Sequence, residues 1–203
     1  QHEQALDLCR EVEDREGEAL SLDTLGLIRH RLGRSLEAAP LFQQSLQTSR
    51  QIQFRWGIGY ALTHLGLALL DAGQFTDAAA AFEEALGLRR ELDPASGTLA
   101  DTLAGLAAVA LAQGNAAAAN QHARAALAAL EAAGEEAAEY PAQIYWQCFR
   151  VLRATDAVDP AAKQALERGQ AWIGRQAARI HDDELRASFL QNVPFNLALQ
   201  TAR

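Results

Sequence analysis

The sequence repeats itself every forty residues. Shifted by that amount, Gly26 falls on Gly66 and Gly33 on Gly73, Leu22 and Leu25 fall on Leu62 and Leu65, and Ala38, Phe42 and Leu46 fall on Ala78, Phe82 and Leu86. The connecting stretches agree too, Arg15 and Gly17 with Arg55 and Gly57. With one residue inserted after Gly97, a third copy brings Leu103, Leu106, Ala107, Gly114, Ala119, Ala126 and Leu127 into the same frame. Leu6 falls on Leu46, so the chain opens in the tail of an earlier unit and reads as a piece of something longer. A fixed period of this length is the mark of a solenoid, in which each unit buries the face that its neighbour leaves open.

Each unit reads as two helices. Leu62, Leu65, Gly66 and Leu69 recur at the spacing of one helical face. Gly73 follows, where glycine ends a helix, and Gln74–Phe75–Thr76 reads as a turn with Thr76 or Asp77 as the next cap. A second stripe runs through Ala78, Phe82, Ala85 and Leu86, and Asp93–Gly97 has the composition of a turn. No stretch alternates with the period of a strand, so the fold class is all-α. Pro40, some five residues into a second helix, predicts a kink there or a late start.

The run Leu65-Gly66, Gly73, Ala78, Phe82, Ala85-Leu86 resembles the tetratricopeptide repeat: a small residue in the first helix, glycine at the turn, then alanine, an aromatic residue and alanine in the second. The resemblance implies a right-handed superhelical solenoid of antiparallel helix pairs. It divides the chain into a truncated unit over 1–13, repeats over 19–52, 59–92 and 100–133, a degenerate repeat over 138–180, and a cap over 181–203. Ser45, Ala107 and Ala123 depart from the pattern. The common repeat has about 34 residues. The long form here, with the Asp14-Arg15-Glu16-Gly17 linker, resembles the arms of bacterial ATPase regulators and LuxR-like activators, and also the arrays of kinesin light chains. The tail, with Ser188, Phe189, Leu190, Asn192, Val193 and Pro194, resembles the segment that closes many of those regulators, and Leu185, Phe189 and Val193 form a stripe able to cover the end of the stack.

Composition narrows the function. A net charge of −8 and a pI near 5.1 oppose direct binding of nucleic acid. The apolar runs are too short to span a membrane. Cys9 and Cys148 stand alone and read as small buried hydrophobes, which fits a cytoplasmic setting. No phosphate loop, zinc spacing or nucleophile elbow occurs, and no cofactor, metal or catalytic residue is expected. His181-Asp182-Asp183-Glu184 reads as a helix cap with an acidic first turn, and Glu135-Glu136 as a solvated turn.

Binding remains, and the resemblance says where. The first helix of each repeat has a second stripe facing the inside of the superhelix, where the family holds a peptide or a partner helix. In the first full repeat it is Leu20, Asp23, Thr24, Leu27 and Arg31; in the second, Tyr60, Thr63, His64, Leu67 and Asp71. In the third it is Asp101, Ala104, Gly105, Ala108 and Ala112, and in the fourth Tyr145, Trp146, Phe149 and Arg153. The lysine/asparagine clamp that relatives use for acidic C-termini is absent: Asp23, Leu27, Thr63 and Leu67 hold those places. The small residues of the third repeat, backed by the aromatics of the fourth, predict a depression for an apolar anchor. The expected role is a protein–protein interaction module, the regulatory arm of a larger signalling or transcription regulator. The alternatives are a small-molecule sensor with its pocket near Ala104 and Tyr145, and a surface for self-association.

Overall fold

The computed structural model describes residues 2–202. Every regular element among them is helical. They form two compact units that divide between residues 94 and 95.

The first unit holds α1 (His2–Glu11), α2 (Arg15–Arg31), α3 (Ser35–Gln51), α4 (Arg55–Asp71) and α5 (Phe75–Leu92). Each helix packs on the next, and α2 also packs on α4, first helix against first helix. Three-residue turns connect them, and the middle residue of each is left-handed: Glu13, Gly33, Gln53 and Gly73 have φ of 57°, 76°, 57° and 74°. The period is thus written in the backbone at half its length. Glycine takes this conformation without strain at the turn from first helix to second, whereas Glu13 and Gln53 adopt it at a cost of about 1 kcal/mol or more.

The helices start earlier than their apolar patterns do. Arg15–Gly17 is no linker but the first turn of α2, capped by the Asp14 carboxylate, which accepts from the Gly17 N–H at 2.9 Å. Arg55 and Gly57 likewise belong to the first turn of α4, which has no side-chain cap. Phe75 likewise begins α5, so neither Thr76 nor Asp77 caps it. Pro40 does not delay α3, which starts at Ser35 and continues through it. The missing N–H leaves the carbonyl of Leu36 without its helical partner, and both residues are exposed, so water can serve instead.

Gly66 answers a packing demand. A Cβ there would lie 2.8 Å from the ring of Phe82 on α5, and at Gly26 it would lie 2.6 Å from Phe42 on α3. Both rings are fully buried. The glycine makes room for an aromatic side chain of its own repeat's second helix.

The second unit holds α6 (Thr98–Ala112), α7 (Ala116–Ala133), a single 3₁₀ turn (Glu135–Ala137), α8 (Pro141–Thr155), α9 (Pro160–Ala178), α10 (Asp183–Gln191) and α11 (Pro194–Thr201). Gly114 repeats the left-handed turn at φ 76°. The capping element differs from the expected stripe. Leu185 is 64% exposed, and no residue of α10 is buried. The end is closed by α11, which packs on α8 and α9 through Leu199, 0% exposed. Gln170 Nε2 donates to the Leu199 carbonyl at 2.9 Å, and Asn196 Nδ2 to the Phe189 carbonyl at 2.9 Å, tying α11 to α9 and α10. The bend at Pro194 starts a new helix whose apolar phase is independent of α10.

Candidate binding surface on the first helices

In the first unit the helices split the predicted stripe in two. Asp23, Thr63, His64 and Leu67 are buried, Leu27, Arg31 and Tyr60 are half-buried, and Asp71 is exposed. The cause is the packing of α2 along α4 with a register of one period plus one residue. Asp23 accepts from His64 Nδ1 at 2.9 Å, and Asp71 meets His30 Nε2 at 2.8 Å, each pair 41 positions apart. The two pairs run in opposite senses, acid to base and base to acid. His64 also lies against the Phe42 ring, centroids 5.5 Å apart. Ser35 Oγ adds a longer bond to Asp71 at 3.3 Å. Asp23 and His64 are therefore seam residues, and the outward part of the stripe in this unit is Leu27, Arg31, Tyr60 and Asp71.

A residue the sequence reading passed over sits beneath Tyr60. Arg89 of α5 is 2% exposed. It donates to the Gly59 carbonyl at 3.1 Å and to Thr63 Oγ1 at 3.2 Å, with its guanidinium 5.0 Å from the centre of the Tyr60 ring. The signal was present: position 89 continues the buried stripe of Phe82, Ala85 and Leu86 at helical spacing. Arginine is rarely buried without partners, so its residue type argues against the buried place that the spacing gives it.

In the second unit, Asp101 is buried and accepts from the backbone N–H groups of Glu139 at 3.1 Å and Tyr140 at 3.2 Å. It positions the entry into α8. Ala104 is fully buried and Ala108 half-buried. Tyr145 is 2% exposed and turns toward α9, where its Cβ would lie 2.9 Å from a Cβ on Gly169. Its hydroxyl donates to Glu135 Oε1 at 2.7 Å, and burial, with that carboxylate beside it, pushes its ionisation well above the usual tyrosine range. Tyr145 and Ala104 belong to packing, and the pocket expected between them loses both its walls. Glu135 is not a solvated turn residue either, since Tyr145 and Arg175 both bind it.

The remaining aromatics of α8 behave differently. Trp146 is half-buried, and its ring lies 5.7 Å from that of Phe149, which is 6% exposed. Arg150 stands over the Trp146 ring at 6.0 Å and Arg153 over the Phe149 ring at 5.6 Å. Both arginines are exposed, and α8 contains no acidic residue. Trp146, beside the buried Phe149 ring and under Arg150, is the aromatic side chain that α8 leaves partly open.

Neither cysteine is placed for chemistry. Cys148 is fully buried, which pushes its thiol up to about 12, and it donates to the Ala123 carbonyl at 3.5 Å. Cys9 is half-buried rather than buried, its Sγ 4.0 Å from Ser21 Oγ. The acidic cluster at 182–184 starts α10, with the Asp182 carboxylate accepting from the Leu185 N–H at 2.9 Å. Among the described residues no helix is long and apolar enough to cross a membrane.

Comparison with known proteins agrees with this geometry. Residues 1–51 and residues 59–92 each match a family model of the tetratricopeptide repeat. No curated protein matches the chain. Tetratricopeptide repeats generally mediate contacts between proteins, typically as scaffolds without catalysis. With the 40-residue period, the glycine-to-phenylalanine seams and the two matched segments in agreement, the chain carries tetratricopeptide repeats over residues 1–51 and 59–92.

Proposed function

We propose that the chain is a protein-interaction module that takes a peptide or a partner helix along the outward faces of its first helices. The observation that carries this reading is the strip on α8: Trp146 and Phe149 under Arg150 and Arg153. Tryptophan and arginine supply a large share of interface energy, because each pairs apolar area with directed polar contacts. Cations over the rings, on a helix without acids, favour a ligand that brings an apolar anchor flanked by carboxylates. In the first unit Leu27, Tyr60 and Asp71 line the corresponding part of their helices. The further proposal, a regulatory arm within a larger signalling protein, is supported by the resemblance of the 181–196 tail.

Selection of a displayed random-peptide library on the immobilised chain tests the reading. Enriched peptides should combine an aromatic or aliphatic anchor with acidic residues. Trp146→Ala and, independently, Arg150→Glu should each weaken the selected peptide by roughly tenfold or more, with melting temperatures near that of the parent. Failure to enrich any peptide, or binding indifferent to both variants, overturns the proposal.

A further inference from the structure

Ten large apolar side chains stand exposed among the described residues, and one of them, Leu185, directly follows a run of three acids, Asp182-Asp183-Glu184. Nowhere else in the sequence are three acids consecutive. The segment opens α10, the helix with no buried residue. The Asp182 carboxylate is engaged in the cap, and Asp183 pairs with Arg186 one turn on. Glu184 is exposed and meets no cation among the described residues. The exposure is not that of a face awaiting the next element: α11 follows directly, packs on α8, α9 and α10, and still leaves Leu185 open.

The surface of α8 has the opposite character. Arg150 is exposed, lies over the half-buried Trp146 ring, and meets no carboxylate among the described residues. Among the described helices α8 alone carries arginines and no acid. The first helix of the preceding repeat, α6, is in place and packed on α8, so the opening at Trp146 lies between two repeats that are both present.

We propose that α8 takes α10 of a second copy of this chain, and that the exchange is reciprocal, each copy giving one helix start and receiving one. The inference rests on the reading of α8 as a binding strip and names its ligand. Leu185 of the partner subunit is the apolar anchor and lies on the Trp146 ring, and Glu184 of the partner subunit is the flanking carboxylate and pairs with Arg150. Charge complementarity selects the partner: an acidic turn meets the one helix whose charges are all positive. Two copies of the same contact close about a twofold axis, which doubles the buried area without a second kind of site. Each contact is a single helix turn on a single strip, so the dimer is weak and concentration-dependent.

Sedimentation velocity over a wide concentration range should show a reversible monomer–dimer equilibrium. Arg150→Glu and Glu184→Arg should each raise the dissociation constant by roughly tenfold or more, with melts near that of the parent because both side chains are exposed. Mixing the two variants should restore the dimer, since in the mixed pair one contact carries the exchanged charges and the other the original ones. A contact made within one chain would gain nothing from mixing. Peptides selected on the immobilised chain should dissociate the dimer. A chain that stays monomeric at every concentration while such peptides bind through Trp146 overturns this inference and leaves the reading of α8 standing. A dimer indifferent to both variants, or one that mixing does not restore, overturns it too.

Discussion

In residues 1–94, Gly26 and Gly66 each lie beneath a phenylalanine ring, Phe42 and Phe82. At the matching positions of the third repeat, in residues 95–203, Ala107 and Ala123 are both fully buried and neither a glycine nor a ring is present. The first helices are joined differently as well. In the first unit Asp23 and His64, then His30 and Asp71, link α2 to α4 side chain to side chain. In the second unit Asp101 binds backbone N–H groups just ahead of α8, so the later turns of α8 are free to present Trp146 and Arg150. The repeat therefore constrains pairs rather than single positions. A seam is closed by one ring over a glycine or by two methyls, and a junction by a histidine or by a main-chain amide.

The largest effect should come from exchanging one seam for the other. Phe82→Ala should cost about 3–5 kcal/mol in denaturant unfolding, the range for removing a buried ring. Gly66→Ala alone should destabilise by about 1–3 kcal/mol, since its methyl meets that ring. Combined, as in the third repeat, the second change should recover about 1 kcal/mol, because the methyl then fills part of the cavity and favours the helix. Additive losses would mean that the two residues do not act as a pair.

A smaller effect separates the two junctions of the first unit. His64→Ala leaves Asp23 buried without its partner and should cost about 1–3 kcal/mol. Asp71→Ala removes the exposed partner of His30 and should cost under about 1 kcal/mol. Equal losses in equilibrium unfolding would contradict the burial difference on which this rests.

The smallest effect should appear only in alkali. The Cys148 thiol titrates near its ordinary value of 9.0 when unfolded and near 12 when folded. The folded state thus holds the proton longer, its contribution is complete below pH 9.0, and stability falls as pH rises toward 12. Near pH 10 the parent should have lost about 1 kcal/mol more than Cys148→Ala, judged by urea unfolding at pH 8 and pH 10. The raised ionisation of Tyr145 acts in the same direction at higher pH. A variant that follows the parent through this window would show that Cys148 is solvated.

Much of this was legible in the residues, for reasons that can be named. Gly73 ends a helix because only glycine takes φ near +74° without strain, and Phe82 is buried because its stripe leaves it no other face. The helix starts were misread. Arg15 and Arg55 are polar and exposed, so the apolar pattern does not extend to the residues that begin α2 and α4. The tail was misread because Leu185 and Phe189 keep helical spacing, while Pro194 breaks the chain and hands the burial to Leu199.

The sequence by itself determined the all-helical class, the 40-residue unit, and the glycine that ends each first helix, since period, composition and backbone conformation are local properties. The members of the second stripe followed from spacing, and its inward facing from the resemblance. Only the tertiary structure decided which of its members stay available. A helix face is shared between neighbours according to register, and a register of 41 placed Asp23 on His64 and Asp71 on His30. Spacing assigns a residue to a face, but it does not reveal which neighbour will cover that face.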